Sequence, residues 1–256
     1  MSDPQRVAVI TGGASGIGEA AVAMLHSIGV VPVIVDLDER LAKACAARHD
    51  GSHIVADVGR AEDWSLITER IMKDHGRLDL AILNAGIGTG TPDLQNVTIE
   101  TMERVVRVNM WGVVLGTRAL TPLLTERKGS IVITASISGL FEAPADPIYS
   151  MTKHGIIGLA RSLVAQLWER GVTINVVCPS FTDTPLFNSN TDQVALRRAE
   201  GVPLLQPEDV ARAMLSLVTS GGTGQVAVCR AGFIPLLWNF SERQVGPADL
   251  FRPWAW

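Results

Sequence analysis

Tyr149 is the only tyrosine in a chain of 256 residues, and Lys153 follows it at a spacing of four. On a helix those two positions share a face, so phenol and ammonium project side by side. An ammonium beside a phenol favours the phenolate and is expected to bring its pKa down from about 10 toward the working range of a general base. Ser136 lies upstream, near the end of an apolar run, where its hydroxyl can hydrogen-bond a substrate oxygen and steady charge developing there. The three side chains together suit proton exchange with an alcohol or with the carbonyl derived from it. The alternative for Tyr149 is packing beside Pro147 at a helix start, and Ser138 is the rival for the serine position.

Such chemistry needs a partner for the hydride, and the N-terminal segment offers a place for one. Thr11-Gly12-Gly13-Ala14-Ser15-Gly16-Ile17-Gly18 follows a short β-branched run and leads into an apolar helical pattern. Glycines between a strand and a helix allow a tight turn, close backbone approach to a pyrophosphate, and close packing of helix on strand. A second apolar run ends at Asp36, whose carboxylate can accept hydrogen bonds from ribose hydroxyls and would repel a 2′-phosphate, favouring NAD over NADP. The alternative for Asp36 is a helix N-cap ahead of Leu37-Asp38-Glu39-Arg40.

The elements that must position these groups alternate along the chain. Strands are expected at Arg6–Ile10, Val31–Val35, His53–Ala56, Leu80–Asn84, Ser130–Ala135, Thr173–Val177 and Gln225–Val228, with helical patterns between them, the first from Gly16 to Ile28. That rhythm predicts an α/β fold, a doubly wound parallel sheet of the Rossmann type. Without a linker or a shift in composition, residues 1–256 read as a single domain.

Composition narrows the classes of function. With 22 Lys and Arg against 26 Asp and Glu, and signs interspersed, there is no basic face for nucleic acid and no polybasic membrane patch. Cys45, Cys178 and Cys229 are far apart and form no CxxC pair, so neither a disulfide framework nor a zinc site is expected. His26, His49, His53, His75 and His154 lack ligand spacing, and no metal is expected. The start of the chain does not read as a signal peptide and no run approaches membrane-spanning length, which predicts a cytoplasmic protein.

The T-G-x-x-x-G-x-G spacing of residues 11–18, Asn84-Ala85-Gly86, and the Y-x-x-x-K of Tyr149 and Lys153 with Ser136 upstream together resemble the short-chain dehydrogenase/reductase family, in its NAD-preferring form. The resemblance runs from Arg6 to about Val228. It implies cofactor contacts from Gly12, Ser15, Gly16, Ile17, Gly18, Asp36, Asn84, Ala85 and Gly86. It assigns adenine contacts to Asp57 and Val58, and nicotinamide contacts to Pro179, Thr182 and Thr184 in a segment similar to P-G-x-x-x-T-P. Ser15 stands where NADP-preferring relatives commonly carry a basic residue. Asn109 in Arg107-Val108-Asn109-Met110 matches the fourth catalytic member, which helps hold a water linking the lysine to a proton relay; Lys153 would also bind the nicotinamide ribose, and Tyr149 lies beside the cofactor.

Ser180 replaces the glycine usual after Pro179, which matters if that position needs positive φ. Residues 186–197 fall where the family has a mobile lid, and Ser138, Leu140, Phe181, Leu186 and Phe187, with Ala143 and Pro144, fall near the expected pocket mouth, suggesting an apolar or neutral substrate. After Val228 the family's usual ending is absent. The tail from about 232 to 256 carries Phe233, Trp238, Phe240, Phe251, Trp254 and Trp256, which is expected to pack on a neighbouring subunit or close the substrate pocket, with its own surface as the alternative. A homo-oligomer, dimer or tetramer, is expected. The function implied is reversible hydride transfer between a secondary alcohol or ketone and NAD(H). An NADP-linked carbonyl reductase of the 3-oxoacyl-reductase kind and a non-catalytic dinucleotide-binding scaffold are the alternatives.

Overall fold

The computed structural model describes residues 5–189, positions 195, 199 and 201, and residues 203–240. Seven parallel strands run β1 Val7–Thr11, β2 Val31–Asp36, β3 Ser52–Val55, β4 Leu80–Leu83, β5 Ser130–Thr134, β6 Thr173–Pro179 and β7 Val226–Cys229. A two-residue strand, β8 Leu236–Leu237, adds antiparallel to β7. The sheet order is β3-β2-β1-β4-β5-β6-β7-β8, so the winding reverses between β1 and β4. The Rossmann-type sheet expected from the alternation is the one found.

Parallel strands are joined by crossovers that cover both faces, which is why these runs are apolar throughout. Successive residues of β1 show the division: Val7 and Val9 enter one core, Ala8 and Ile10 the other. On the first face lie α3 (Ala61–His75), α5 (Gly112–Thr125) and α6 (Pro147–Trp168), whose Ile67, Leu120 and Ile156 are buried there. On the second lie α1 (Gly16–Ser27), α2 (Glu39–Arg48) and α8 (Pro207–Thr219), contributing Leu25, Cys45 and Met214. Helix α4 (Ile99–Val106) runs into α5 through a π-helical turn at Arg107–Trp111, and α7 is a single turn at Pro185–Asn188.

The last part of the described chain does not trail away. Trp238 and Phe240 are partly buried against the first core; Trp238 meets Phe141 edge to face at 5.1 Å, and Arg161 of α6 lies 3.8 Å above the Phe240 ring. Phe233, Leu236 and Leu237 are exposed. Phe251, Trp254 and Trp256 lie outside the described residues, as does most of the lid beyond Ser189. All three cysteines are free and buried. Among the described residues no helix is long and apolar enough to cross a membrane, and no cluster of potential metal ligands occurs.

Candidate active site

The site residues read from the sequence lie mostly at or beyond the C-terminal ends of strands, with Tyr149 and Lys153 at the start of α6 and Asn109 in the π-helical turn between α4 and α5. The switch between β1 and β4 leaves a crevice there, because the connections from the two strands depart to opposite faces. The glycine segment fills the start of it. Gly12 and Gly16 hold φ of +60° and +53°, a left-handed conformation that disfavours any side chain. Gly12 N donates to Val35 O at 2.8 Å, folding the turn over β2. Ser15 sits at the N-cap of α1 but makes no side-chain cap bond, so the first turn of α1 keeps amides that a phosphate can take. These features fit a pyrophosphate group, with Ser15, Gly16, Ile17 and Gly18 as the residues to hold it.

Asp36 is not the N-cap of α2; Asp38 fills that role, accepting from Leu41 N at 2.9 Å. The Asp36 carboxylate instead accepts from Ala14 N at 3.1 Å and from Asp38 N at 3.2 Å, which fixes it against the glycine turn. Asp57 is less free than the resemblance implies. Its carboxylate accepts from Gly59 N and pairs with Arg107 Nη1 at 2.9 Å, while the Val58 carbonyl takes the Trp64 indole N–H. An adenine contact there would share a carboxylate already bound on two sides.

Asn84 knits the cofactor side to the chemical side. Its amide nitrogen donates to the carbonyls of Thr11 and Gly12, its side-chain oxygen accepts from Thr134 Oγ1, and its backbone N–H joins that of Ala85 on Thr11 Oγ1. The Thr134 carbonyl then accepts from Lys153 Nζ at 2.9 Å. A Cβ on Gly86 would meet Lys153 Nζ at 3.3 Å and Asn109 Oδ1 at 3.5 Å, so a glycine here keeps the approach to both open. Asn109, fully buried in the π-helical turn, donates to Ile87 O and Thr152 Oγ1 and accepts from Ile87 N. One extra residue in the turn re-aims a side chain that a regular helix would point elsewhere.

Lys153 Nζ lies 5.3 Å from the centre of the Tyr149 ring, and Ser136 hydrogen-bonds the phenol, so the three residues come together as expected. The expected effect on the phenol does not appear. Burial pushes Tyr149 up to about 12; the Ser136 hydrogen bond opposes this, while Asp146 adds to it. Lys153 is itself desolvated, which lowers it to about 8, and one of its N–H groups donates to the Thr134 carbonyl. Part of the tyrosine side chain still reaches solvent. Beneath them Cys178, at the end of β6, takes a hydrogen bond from the Ser136 backbone, and burial raises its thiol to about 12.

Lysine burial makes a stability prediction. Between about 8 and 10.5 the unfolded chain carries the Lys153 proton and the folded chain does not, so this residue adds stability as pH rises through that window. The gain is on the order of 3 kcal/mol. The buried thiols of Cys45, Cys178 and Cys229, raised to about 11, 12 and 12, act in the opposite direction above pH 9, so the gain is read as the difference in pH dependence between the native chain and Lys153→Met in urea midpoints at pH 7 and 10; equal pH dependence in both would place the lysine in solvent.

Around the mouth, Pro179 ends β6, and Ser180 N donates to Cys229 O with φ outside the positive region, so the missing glycine costs no strain. Thr182 is buried, with Oγ1 on Ser180 O, and Thr184 caps α7 while its methyl side faces Gly16, joining this loop to the glycine turn. The Phe181 and Phe187 rings stand 5.7 Å apart and Leu186 is exposed, as a pocket rim requires. Leu140 is instead buried in the first core, and Ser138 serves structure, its N–H on Ser136 Oγ and its carbonyl on Ser150 Oγ. Thr134 and Cys178 carry no sequence signal, because one contributes a backbone carbonyl and the other a hydrogen bond with the Ser136 backbone. Asp146 was legible in principle as an acidic residue directly before a helix-starting proline.

A parallel sheet with this crevice, glycine turn and serine–tyrosine–lysine group defines a nicotinamide-dependent oxidoreductase, and comparison with known proteins agrees. Residues 6–195 match the family model for short chain dehydrogenases. Borneol dehydrogenase from Lavandula x intermedia is 34% identical over 218 residues, covering 84% of this chain and 83% of that protein. A 3-oxoacyl-(acyl-carrier-protein) reductase from Thermotoga maritima is 28% identical over 241 residues, 90% and 98% of the two chains. A crystal structure of 3-ketoacyl-(acyl-carrier-protein) reductase from Brucella melitensis complexed with NADH superposes with a TM-score of 0.84 at 27% identity, over 90% of this chain and 98% of that one. The chain belongs to the short-chain dehydrogenase/reductase family, oxidoreductases that bind a nicotinamide dinucleotide and act on alcohols and ketones.

Proposed function

We propose that this chain is an NAD-dependent dehydrogenase interconverting an apolar secondary alcohol and its ketone, with Tyr149 as the general acid and base. The observation that carries it is the Ser136–Tyr149–Lys153 group at the mouth of a crevice whose far end is floored by Asp36 and the glycine turn. Bound nicotinamide dinucleotide supplies the acceptor or donor of hydride. Gly12 to Gly18 would hold its pyrophosphate, Asp36 its adenosine ribose, Lys153 the nicotinamide ribose, and Pro179, Thr182 and Thr184 the nicotinamide end.

The chain's own groups do the rest. Ser136 Oγ orients the substrate oxygen. Tyr149 gives its phenolic proton to a carbonyl oxygen as charge builds there, or takes the proton of an alcohol in the reverse direction. Lys153, held by Thr134 O, presents positive charge to the phenolate that results, and Asn109 braces the loop beneath them. Because burial keeps the phenol protonated to about 12, carbonyl reduction should hold its rate across neutral pH while alcohol oxidation climbs toward alkaline pH. Rate profiles in both directions with one alcohol–ketone pair test this; an oxidation rate independent of pH from 7 to 10 contradicts it.

NAD preference is supported by the Asp36 carboxylate, anchored on Ala14 N where a 2′-phosphate would meet its charge. Titrating tryptophan fluorescence with NADH and NADPH should show NADH binding more tightly, and Asp36→Ala should shrink the preference by about tenfold, as expected for loss of a charge-assisted hydrogen bond. Tighter NADPH in the native chain would favour the NADP-linked reductase, and binding of neither the scaffold. The three free thiols suit a reducing compartment, and we place the protein in the cytoplasm. A homo-oligomer is supported by the exposed Phe233, Ile234, Leu236 and Leu237 along the β8 edge, and sedimentation velocity tests it.

A further inference from the structure

Asp146 spans two walls of the site. One carboxylate oxygen accepts from Tyr149 N at 2.9 Å and caps α6; the other accepts from Thr89 N at 2.7 Å, in the loop that follows Asn84-Ala85-Gly86. The fit is close, since a Cβ on Gly88 would stand 3.0 Å from that second oxygen. The backbone of the same side chain's residue is drawn in as well, with Ser150 N donating to Asp146 O at 3.0 Å. Pro147 fixes the first residue of the helix behind the cap.

We propose that Asp146 is a positioning residue for proton transfer: it clamps the helix start that carries Tyr149 to the cofactor-side loop at residues 86–89, and holds a negative charge beside the phenol. The proposal rests on the dehydrogenase reading above for its kinetic part and stands alone for its structural part. Both N–H groups need an acceptor, and only a carboxylate offers two oxygens in one plane. Asparagine would keep the helix cap, being a good N-cap residue, and would turn its NH2 on the Thr89 N–H. Serine and threonine, also good caps, are too short to serve both.

The charge acts in a definite direction. The groups that act on the Tyr149 phenol are Ser136 from the turn after β5, Asp146, whose carboxylate sits on the Tyr149 backbone N–H, and Cys178 from β6, with Lys153 of the same helix 5.3 Å from the ring centre. Of these Asp146 is the carboxylate, and its charge adds to burial, the larger cause, in disfavouring the phenolate. Removing it should let the base form appear at lower pH.

Hydrogen exchange and kinetics on Asp146→Asn and Asp146→Ala test the proposal. With Asn, the Thr89 amide should exchange about tenfold faster or more while the Tyr149 amide stays protected; with Ala, both should exchange faster. In both variants the acid limb of the alcohol-oxidation profile should move to lower pH, and kcat should fall about tenfold in Ala with the KM for NAD little changed. Unchanged exchange at Thr89 in Asn, or an acid limb that does not move in either variant, overturns the proposal. Exchange needs no substrate, so a native chain without turnover on alcohols would count against the dehydrogenase reading and leave the clamp to be judged by its amides.

Discussion

Tyr149→Phe is expected to lower kcat by about 10² to 10⁴-fold in both directions, the range a positioned proton donor commonly contributes, while NADH affinity stays within about twofold. The ring is retained, so its packing and its contact with Lys153 persist, and only the Ser136 hydrogen bond is lost. The substrate oxygen would then gain or lose its proton through water, with Lys153 Nζ still turned to Thr134 O. Stopped-flow and steady-state rates with a matched alcohol and ketone, beside a fluorescence titration, separate the two effects. Native turnover in the Phe variant would remove Tyr149 from the chemistry, and equal loss of binding and turnover would give it a structural role.

Gly18→Ala should cost NADH affinity by roughly a hundredfold, about 3 kcal/mol. The Cβ it introduces would sit 2.0 Å from Gly12 O and 2.9 Å from Asn84 Nδ2. The first is backbone and cannot rotate away, so either α1 backs off β1 or the glycine turn opens. Opening the turn moves the amides meant for the pyrophosphate and releases Gly12 O from its bond with Asn84, which reaches Thr134 and then Lys153. The variant should therefore lose binding first and fold stability by a smaller amount, about 1–3 kcal/mol in a urea midpoint. Native affinity would mean that the helix shifts freely and that the close packing of this glycine is incidental. Gly158, a helical glycine with open space around it and, like Gly18, no positive φ, is the control for glycine replacement as such.

How far the sequence carried these conclusions differs from place to place. The sheet was legible because parallel strands buried on both faces are short β-branched runs that helices must separate, and β1 to β7 fall within a few residues of their expected limits. β8 was not, since two residues after a glycine turn have no periodicity to read. Tyr149 and Lys153 could be paired from helical spacing and Ser136 joined to them by the family resemblance, yet the direction of the phenol's titration could not be read. Spacing gives adjacency, whereas the outcome depends on how much water burial takes from both groups. The π-helical turn at Asn109 is likewise invisible, because α4 and α5 keep an apolar stripe on either side of it. The tie of Asp57 to Arg107 joins residues remote in the chain, and local pattern does not show it. Leu140, which the sequence allows at the pocket mouth or in the core, is buried in the first core, because apolar residues near a site and apolar residues in a core look alike in sequence.

The strand order has a consequence for how the protein is made. β1, β2 and β3 leave the ribosome first and pair in a block, β1 keeping one edge free. β4, β5, β6 and β7 then add one after another, each to the strand made just before it except β4, which docks on β1. At every stage the nascent sheet therefore presents one growing edge of unpaired N–H and C=O groups, the feature by which partly made chains stick to one another. That edge advances with synthesis until β8 turns back antiparallel on Ala227 and Val228 and leaves an outer edge only two residues long. Truncation within residues 226–240 should consequently show itself as aggregation during expression, before any defect in the finished enzyme could be measured.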